Sequence, residues 1–319
     1  MTTELPGSTR VGRVGLRVAD LDRAAAFYTD VVGLSVVERM DGTVDLGVGD
    51  ELGDDASGDD DRLLTLIVAP DAPERGPREA GLFHVAFRVP SRASLGAALD
   101  RLEAGGRLTG ASDHLVSEAL YARDPEENGI EVYRDRPRAE WPDAPDGRVT
   151  MDTLPLDRDG VRSTVESENL DRTALPAGTD VGHVHLEAVD LDATRAFYTE
   201  VVGLRVRQEM GDDATFLAAG EYHHHLGLNV WNRRRDPAGD GLGLAWYELV
   251  VPEAALGPLR ERVERSTAPV HEVGGSREVE GSREVEGSRE VEGSREVEDA
   301  RVAFETVDPS GIRVRFRTA

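Results

Sequence analysis

"RVADLDRAAAFYTDVVGLSV" (17–36) returns 170 residues downstream as "EAVDLDATRAFYTEVVGLRV" (187–206). Asp20, Phe27, Tyr28, Gly33 and Leu34 of the first copy match Asp190, Phe197, Tyr198, Gly203 and Leu204 of the second. Repetition of this kind means that one folding unit is used more than once. Each copy reads as strand, helix, strand. "VGRVGLRV" and "VGHVHLEA" alternate side chains with period two, whereas Leu21, Ala24, Ala25, Tyr28 and Val32 fall at helical spacing. Asp20 and Asp190 stand where a helix wants a side-chain cap. Gly33 and Gly203 stand where it wants a left-handed stop.

A second pair of segments extends the pattern. "LFHVAFRVPSRASLGAALDRL" (82–102) parallels "LAWYELVVPEAALGPLRERV" (244–263), and "DPEENGIEVYRD" (124–135) parallels "DPSGIRVRFRT" (308–318). Four strand–helix–strands units therefore lie near 11–68, 81–135, 181–231 and 242–317. They predict an α+β chain with a first domain over 8–137, a Pro- and Asp-rich linker over 138–179 and a second domain over 180–319. "GDDASGDDD" (53–61) reads as a solvated acidic loop. Four copies of Gly-Ser-Arg-Glu-Val-Glu at 275–298 carry one Val each, too little to bury a core, and read as a duplication in a surface loop.

Composition sets the setting and excludes some partners. The chain has 62 acidic residues against 37 basic ones, every one of them Arg, for a net charge of −25. Such a field repels nucleic acid and anionic lipid. It suits a salt-adapted cytoplasm, since at molar salt the Debye length of about 3 Å screens the self-repulsion. No run of about 18 apolar residues offers a membrane span, and "MTTELPGSTR" has no signal-peptide core, so a cytoplasmic protein is expected. There is no cysteine, so a metal site would have to use His, Asp or Glu. Among the eight histidines, "EYHHHLGLNVWN" (221–232) places three in a row. On a strand His223 and His225 would share one face with Asn229 and Trp231, and His224 the other, so at most two could enter one site together.

Four βαβββ units, each opened by an "AxxFYxxVxGL" type of helix, resemble the vicinal oxygen chelate superfamily, which groups glyoxalases, bleomycin-resistance proteins and extradiol dioxygenases. "SDHLVSEALYARDPEENGIEVYRDRPR" (112–138) and "GEYHHHLGLNVW" are similar to segments of its two-domain catechol 2,3-dioxygenases. The resemblance implies units paired edge to edge into half-barrel cups, one of which holds the metal. Its ligand positions, early on the first strand and midway along the last, fall here on Arg13, His84, His183 and Trp246, and on Glu131, Arg313 and, less clearly, His225. Taken alone, His84 could equally be a core histidine and Glu131 an outward carboxylate, while His185 competes with His183 two residues away. Pairing in sequence order would leave each half of the chain an incomplete ligand set; pairing the second unit with the third would assemble His84, Glu131 and His183 in one cup.

That triad is what the resemblance implies for Fe(II), with Mn(II) or another divalent ion as the alternative. The activity implied is ring cleavage of a small aromatic diol by O2, with His225, His114 and Tyr121 as candidate acid–base groups and His225 alternatively a fourth ligand. A glyoxalase-like isomerase or lyase and a metal-free protein that sequesters aromatic molecules are the other readings. A homo-oligomer is compatible with all three.

Overall fold

A computed structural model describes residues 4–49, 61–142, 144, 146–167, 171–273 and 302–319. The acidic stretch at 53–60 and the hexapeptide repeats at 275–298 lie outside them. Each of the four units is a strand, a helix and three further strands. Unit one runs Arg10–Val18, Leu21–Ala26, Ser35–Met40, Thr43–Gly47 and Arg62–Val68; unit two runs Gly81–Arg88, Arg92–Ala104, Gly110–Asp113, Ser117–Arg123 and Gly129–Asp135. Unit three comprises Asp180–Glu187, Leu191–Ala196, Arg205–Met210, Ala214–Ala218 and Leu226–Asn229. Unit four comprises Gly243–Val250, Glu253–Arg265, Val270–His271, Val302–Val307 and Arg313–Arg317.

The caps sit where the sequence puts them. Asp20 accepts from the Arg23 N–H and Asp190 from the Ala193 N–H, both at 2.9 Å. The helices of units one and three continue as π turns, Phe27–Val32 and Phe197–Val202. Gly33 and Gly203 then end them at φ 94° and 99°, a region that a side chain would strain.

The sheets couple distant units. Gly81–Arg88 runs antiparallel to Asp180–Glu187, joining units two and three, with Leu154–Pro155 of the connecting segment at the edge, into one sheet of nine strands; Arg10–Val18 runs antiparallel to Gly243–Val250, joining units one and four into one of eight. Pairing in sequence order is not what forms. Sequence neighbours are held by a different device, repeated with the units. Tyr28 of the first helix donates to Asp124 in the "DP" turn of unit two at 2.9 Å, and Tyr198 donates to Asp308 in the "DP" turn of unit four at 3.0 Å. All four residues are buried.

The cup of units one and four holds ion pairs and a tryptophan among the described residues. Arg13 lies 3.4 Å from Asp45 and 3.6 Å from Glu248, and Glu248 also binds Arg317 at 3.0 Å. Trp246 lies opposite Gly15, whose missing Cβ leaves room for the ring, and the Arg315 guanidinium stands 4.1 Å over it. Among the described residues the one cluster with metal-ligating geometry lies in the other cup.

The Tyr–Asp bonds should therefore be worth stability and nothing else. Tyr28→Phe is expected to lower the free energy of unfolding by about 1–2 kcal/mol, measured by urea titration. Divalent-metal stoichiometry, measured in parallel, should not change.

Candidate metal centre

The register of four strands builds the site. In the nine-stranded sheet Ala86 pairs with His183 on one side and with Glu131 on the other, and Glu131 pairs in turn with Tyr121. His183, Ala86, Glu131 and Tyr121 thus form one row across the sheet. His84 projects on the same face as Ala86, two residues earlier. Ala86 is the small residue at the centre of the group. Gly129 lies opposite His84, and a Cβ on it would collide with the Phe83 carbonyl and crowd the His84 Cβ at 3.0 Å.

The result is a tight cluster. His84 Nε2 is 3.0 Å and His183 Nε2 3.4 Å from Glu131 Oε2, and the two nitrogens are 3.2 Å apart. All three residues are buried. Burial holds the His183 imidazole down to about 4, hence neutral. Burial alone would raise the Glu131 carboxyl, but the two imidazoles, His183 foremost, bring it well below its ordinary range. Unprotonated imidazole and ionised carboxylate are the forms that bind a metal. Three lone-pair atoms converging in a buried space fit a divalent cation better than they fit one another. No fourth His, Cys, Asp or Glu joins the cluster among the described residues.

A cavity of about 240 Å³ opens over this floor. Its walls are mainly apolar: Phe83, Met151, Met210, Phe216 and Trp231, with His185 packed between Phe83 and Trp231 at ring distances of 5.1 and 5.2 Å. Phe83 faces the cavity because it is a β-bulge. Leu82 pairs with Leu186 and His84 with His185, leaving Phe83 without a partner. Glu131 is the one acidic residue in the lining, and no Arg is in it. A larger groove of about 770 Å³, walled by Asp190, Arg195, Glu209 and Arg233–Arg235, holds none of the three donors; it is an open surface crevice crossed by ion pairs.

The histidine run differs from the expectation. Residues 223–225 precede the strand, which begins at Leu226, so strand alternation does not apply to them. His224 lines the cavity, its ring 4.2 Å from that of His183. His225 does not line it. Its Nδ1 accepts the Ala219 N–H at 3.2 Å, and burial lowers its pKa to about 3, so it is a neutral core residue outside the donor cluster. His183 rather than His185 joins the cluster; His185 Nε2 is bound to Asn229 Nδ2 at 3.1 Å.

His114 and Tyr121 do come together at the rim. The Tyr121 hydroxyl lies 2.6 Å from His114 Nε2, and His114 Nδ1 donates to the Asp152 carbonyl at 2.8 Å. Burial, with the Glu131 carboxylate beside it, pushes the Tyr121 phenol well above its ordinary value, so it remains a donor. Asp152 belongs to the linker, as do Met151 and Thr153 of the cavity wall. Gln208 grips the Met151 backbone with both ends of its amide, at 2.5 and 2.9 Å. Composition marks this segment as a connector, and no motif in it announces a wall.

A profile of the Glyoxalase/Bleomycin resistance protein/Dioxygenase superfamily matches residues 10–132. The catechol-2,3-dioxygenase of Bacillus subtilis (strain 168) is 36% identical over 282 residues, 86% of this chain and 94% of that protein. The chain belongs to this superfamily. Within the superfamily it is an extradiol dioxygenase-type enzyme. Solved structures agree on the fold. A putative dioxygenase from Bacillus subtilis subsp. subtilis str. 168 superposes with a TM-score of 0.59 at 14% identity, covering 99% of this chain and 86% of that one. Glyoxalase I from Zea mays gives 0.55 at 15%, covering 98% and 92%. No helix of the described residues is long and apolar enough to cross a membrane.

In this superfamily member the space over Ala86 is a direct test of the site. Ala86→Leu is expected to cut divalent-metal affinity at least about tenfold, the scale of a disturbed outer shell. Arg13→Ala, in the cup of units one and four, should leave it unchanged. Isothermal titration of the metal-stripped protein reads both, with near-UV circular dichroism to show that each variant is folded.

Proposed function

We propose that this enzyme is an Fe(II)-dependent dioxygenase that opens the ring of an uncharged catechol beside the diol. The observation that carries the proposal is the His84–His183–Glu131 cluster at the floor of an apolar cavity. Two imidazoles and one carboxylate would hold a divalent ion through three protein donors and leave it accessible from the cavity. Bound there, ferrous iron would supply the electron path between diol and dioxygen, a role the side chains cannot fill; Mn(II) or another divalent ion is the alternative occupant.

The chain's own residues do the rest. His84, His183 and Glu131 hold the metal. His224, with its ring at the cavity wall, takes the proton that a diol hydroxyl must lose and returns it to the opening ring. Tyr121 keeps its proton and donates it to His114 Nε2, whose Nδ1 is tied to the Asp152 carbonyl, so the phenol is fixed at the rim. Phe83, Phe216 and Trp231 hold the ring and keep bulk water from the floor. The cavity lies below the roughly 300–1,000 Å³ of sites for drug-sized ligands, which suits one aromatic ring with a small substituent. Without a cation in the wall, a carboxylate on that ring would be buried unpaired. The acidic, lysine-free composition supports work at high salt, in the cytoplasm.

The test is anaerobic loading with Fe(II) at high salt, followed by air and substrate in an oxygen electrode. One O2 consumed per catechol, with a yellow ring-opened product, is expected. Turnover of a hemithioacetal without oxygen would overturn the proposal in favour of an isomerase. We further expect kcat/KM for 4-methylcatechol to exceed that for 3,4-dihydroxybenzoate at least about 100-fold, near 3 kcal/mol in the barrier. His224→Ala should lower kcat by about 100-fold or more with iron retained, whereas His225→Ala should act on stability first.

A further inference from the structure

Behind His224 lies a chain of contacts that the reaction itself does not call for. His223 Nδ1 is 2.7 Å from His224 Nδ1, and His223 Nε2 is 2.9 Å from Asp135 Oδ1. Two successive histidines can face each other in this way because the chain is bent, not extended, at 223–225. His223 is fully buried and packed against Tyr222 and Trp141, at ring distances of 4.1 and 5.1 Å, so its ring is held in place. Asp135 in turn accepts from Arg88 at 3.1 Å and from the Tyr222 hydroxyl at 3.0 Å.

We infer that Asp135 and His223 are positioning residues that fix the tautomer of His224, leaving its Nε2 unprotonated and turned to the cavity. The reasoning follows the hydrogen-bond inventory. An ionised carboxylate only accepts, so the proton of the Asp135–His223 contact sits on His223 Nε2. With the ring's one proton placed there, His223 Nδ1 keeps its lone pair, and the 2.7 Å contact places a proton on His224 Nδ1. The remaining nitrogen of His224, Nε2, is left as the acceptor. It is the only ring nitrogen of His224 free of the relay. Second partners of this kind commonly set which nitrogen of a histidine is available. Asp135 closes the strand that carries Glu131, so one strand supplies both a metal donor and the anchor of the relay.

The inference rests on the reading of the cavity as the reaction site, and its first measurement does not depend on activity. In metal-free, 15N-histidine-labelled full-length protein, two-bond 1H–15N correlation reports which ring nitrogen of each imidazole is protonated. His224→Gln and His223→Gln spectra assign the signals. We expect His224 protonated on Nδ1 and His223 on Nε2. Asp135→Asn, whose amide can donate, should release the preference and populate the other tautomer of His224, and Asp135→Glu should restore it. His224 protonated on Nε2 in the unaltered protein, or a tautomer unmoved by Asp135→Asn, would overturn the inference whether or not the enzyme cleaves catechol. If Asp135→Asn does not fold, His223→Phe removes the acceptor of His224 Nδ1 and should release the tautomer equally; an unmoved signal there is equally contrary. With iron loaded, the tautomer-releasing variant should lose about 10–100-fold in kcat with KM and iron content changed less than about twofold. A rise in KM or loss of iron with kcat retained would assign Asp135 a purely structural role.

Discussion

The antiparallel seam between Gly81–Arg88 and Asp180–Glu187 sets Ala86 opposite His183 and His84 opposite His185. Side chains alternate with period two, so a slip of one residue along this seam would turn one histidine set out of the cup. Two irregularities pin the register. Gly182 and Phe83 each lack an opposite residue, and a side chain on Gly182 would strike the Tyr133 hydroxyl. One bulge therefore admits a tyrosine behind the site and the other delivers an aromatic wall to its front. The His–Glu–His cluster, the aromatic wall and the sheet's register are consequences of the same pairing.

Collecting so many polar groups in one interior has a cost that the two cups meet differently. A buried carboxylate without a partner is strongly unfavourable, and removing one partner of a buried pair typically costs about 3–5 kcal/mol. Among units one and four the positive charge is built into the chain: Arg13 and Arg317 face Asp45 and Glu248, and Trp246 occupies the space beside them. Between units two and three Glu131 is faced by two imidazoles, His84 and His183, and burial holds that of His183 down to about 4. A divalent cation held by the three donors would balance that carboxylate. The duplicated fold has thus kept one cup as a permanent ion pair and left the other to a metal.

Much of this was legible in the residues, and the limits have physical causes. The repeated helix, its Asp caps and its glycine stops depend on local conformation, and local conformation is what periodicity and capping chemistry report. The grouping of His84, His183 and Glu131 was legible because the family resemblance supplies the strand positions and the repeats locate them in this chain. Which histidine of the run lines the cavity was not. The resemblance points to His225, and alternation along a strand sets His224 on the other face, whereas the strand begins at Leu226 and His224 lines the cavity. An error of three residues in a boundary inverts which side chain meets the cavity, and boundaries are the weakest part of any reading from propensity. Phe83 was missed for a related reason, since a bulge is a property of two strands and leaves no mark on one. Met151, Asp152 and Thr153 lie in a segment whose composition describes only a connector.

That connector is where the pairing of the units and the cavity wall meet. A cup assembled from units two and three leaves two free strands at its mouth, Arg205–Met210 and Gly110–Asp113, each with backbone groups exposed to mispairing. The chain between the units touches both. Val149 donates to the Arg207 carbonyl, Gln208 clasps Met151, and Leu154–Pro155 pairs with Ser112 and Asp113. Between those two attachments lie the three residues that face the cavity or hold His114. The same crossing that lets distant units pair also satisfies the open edges and closes the mouth. Wall residues and edge cover are therefore one structure, and neither can be altered without disturbing the other.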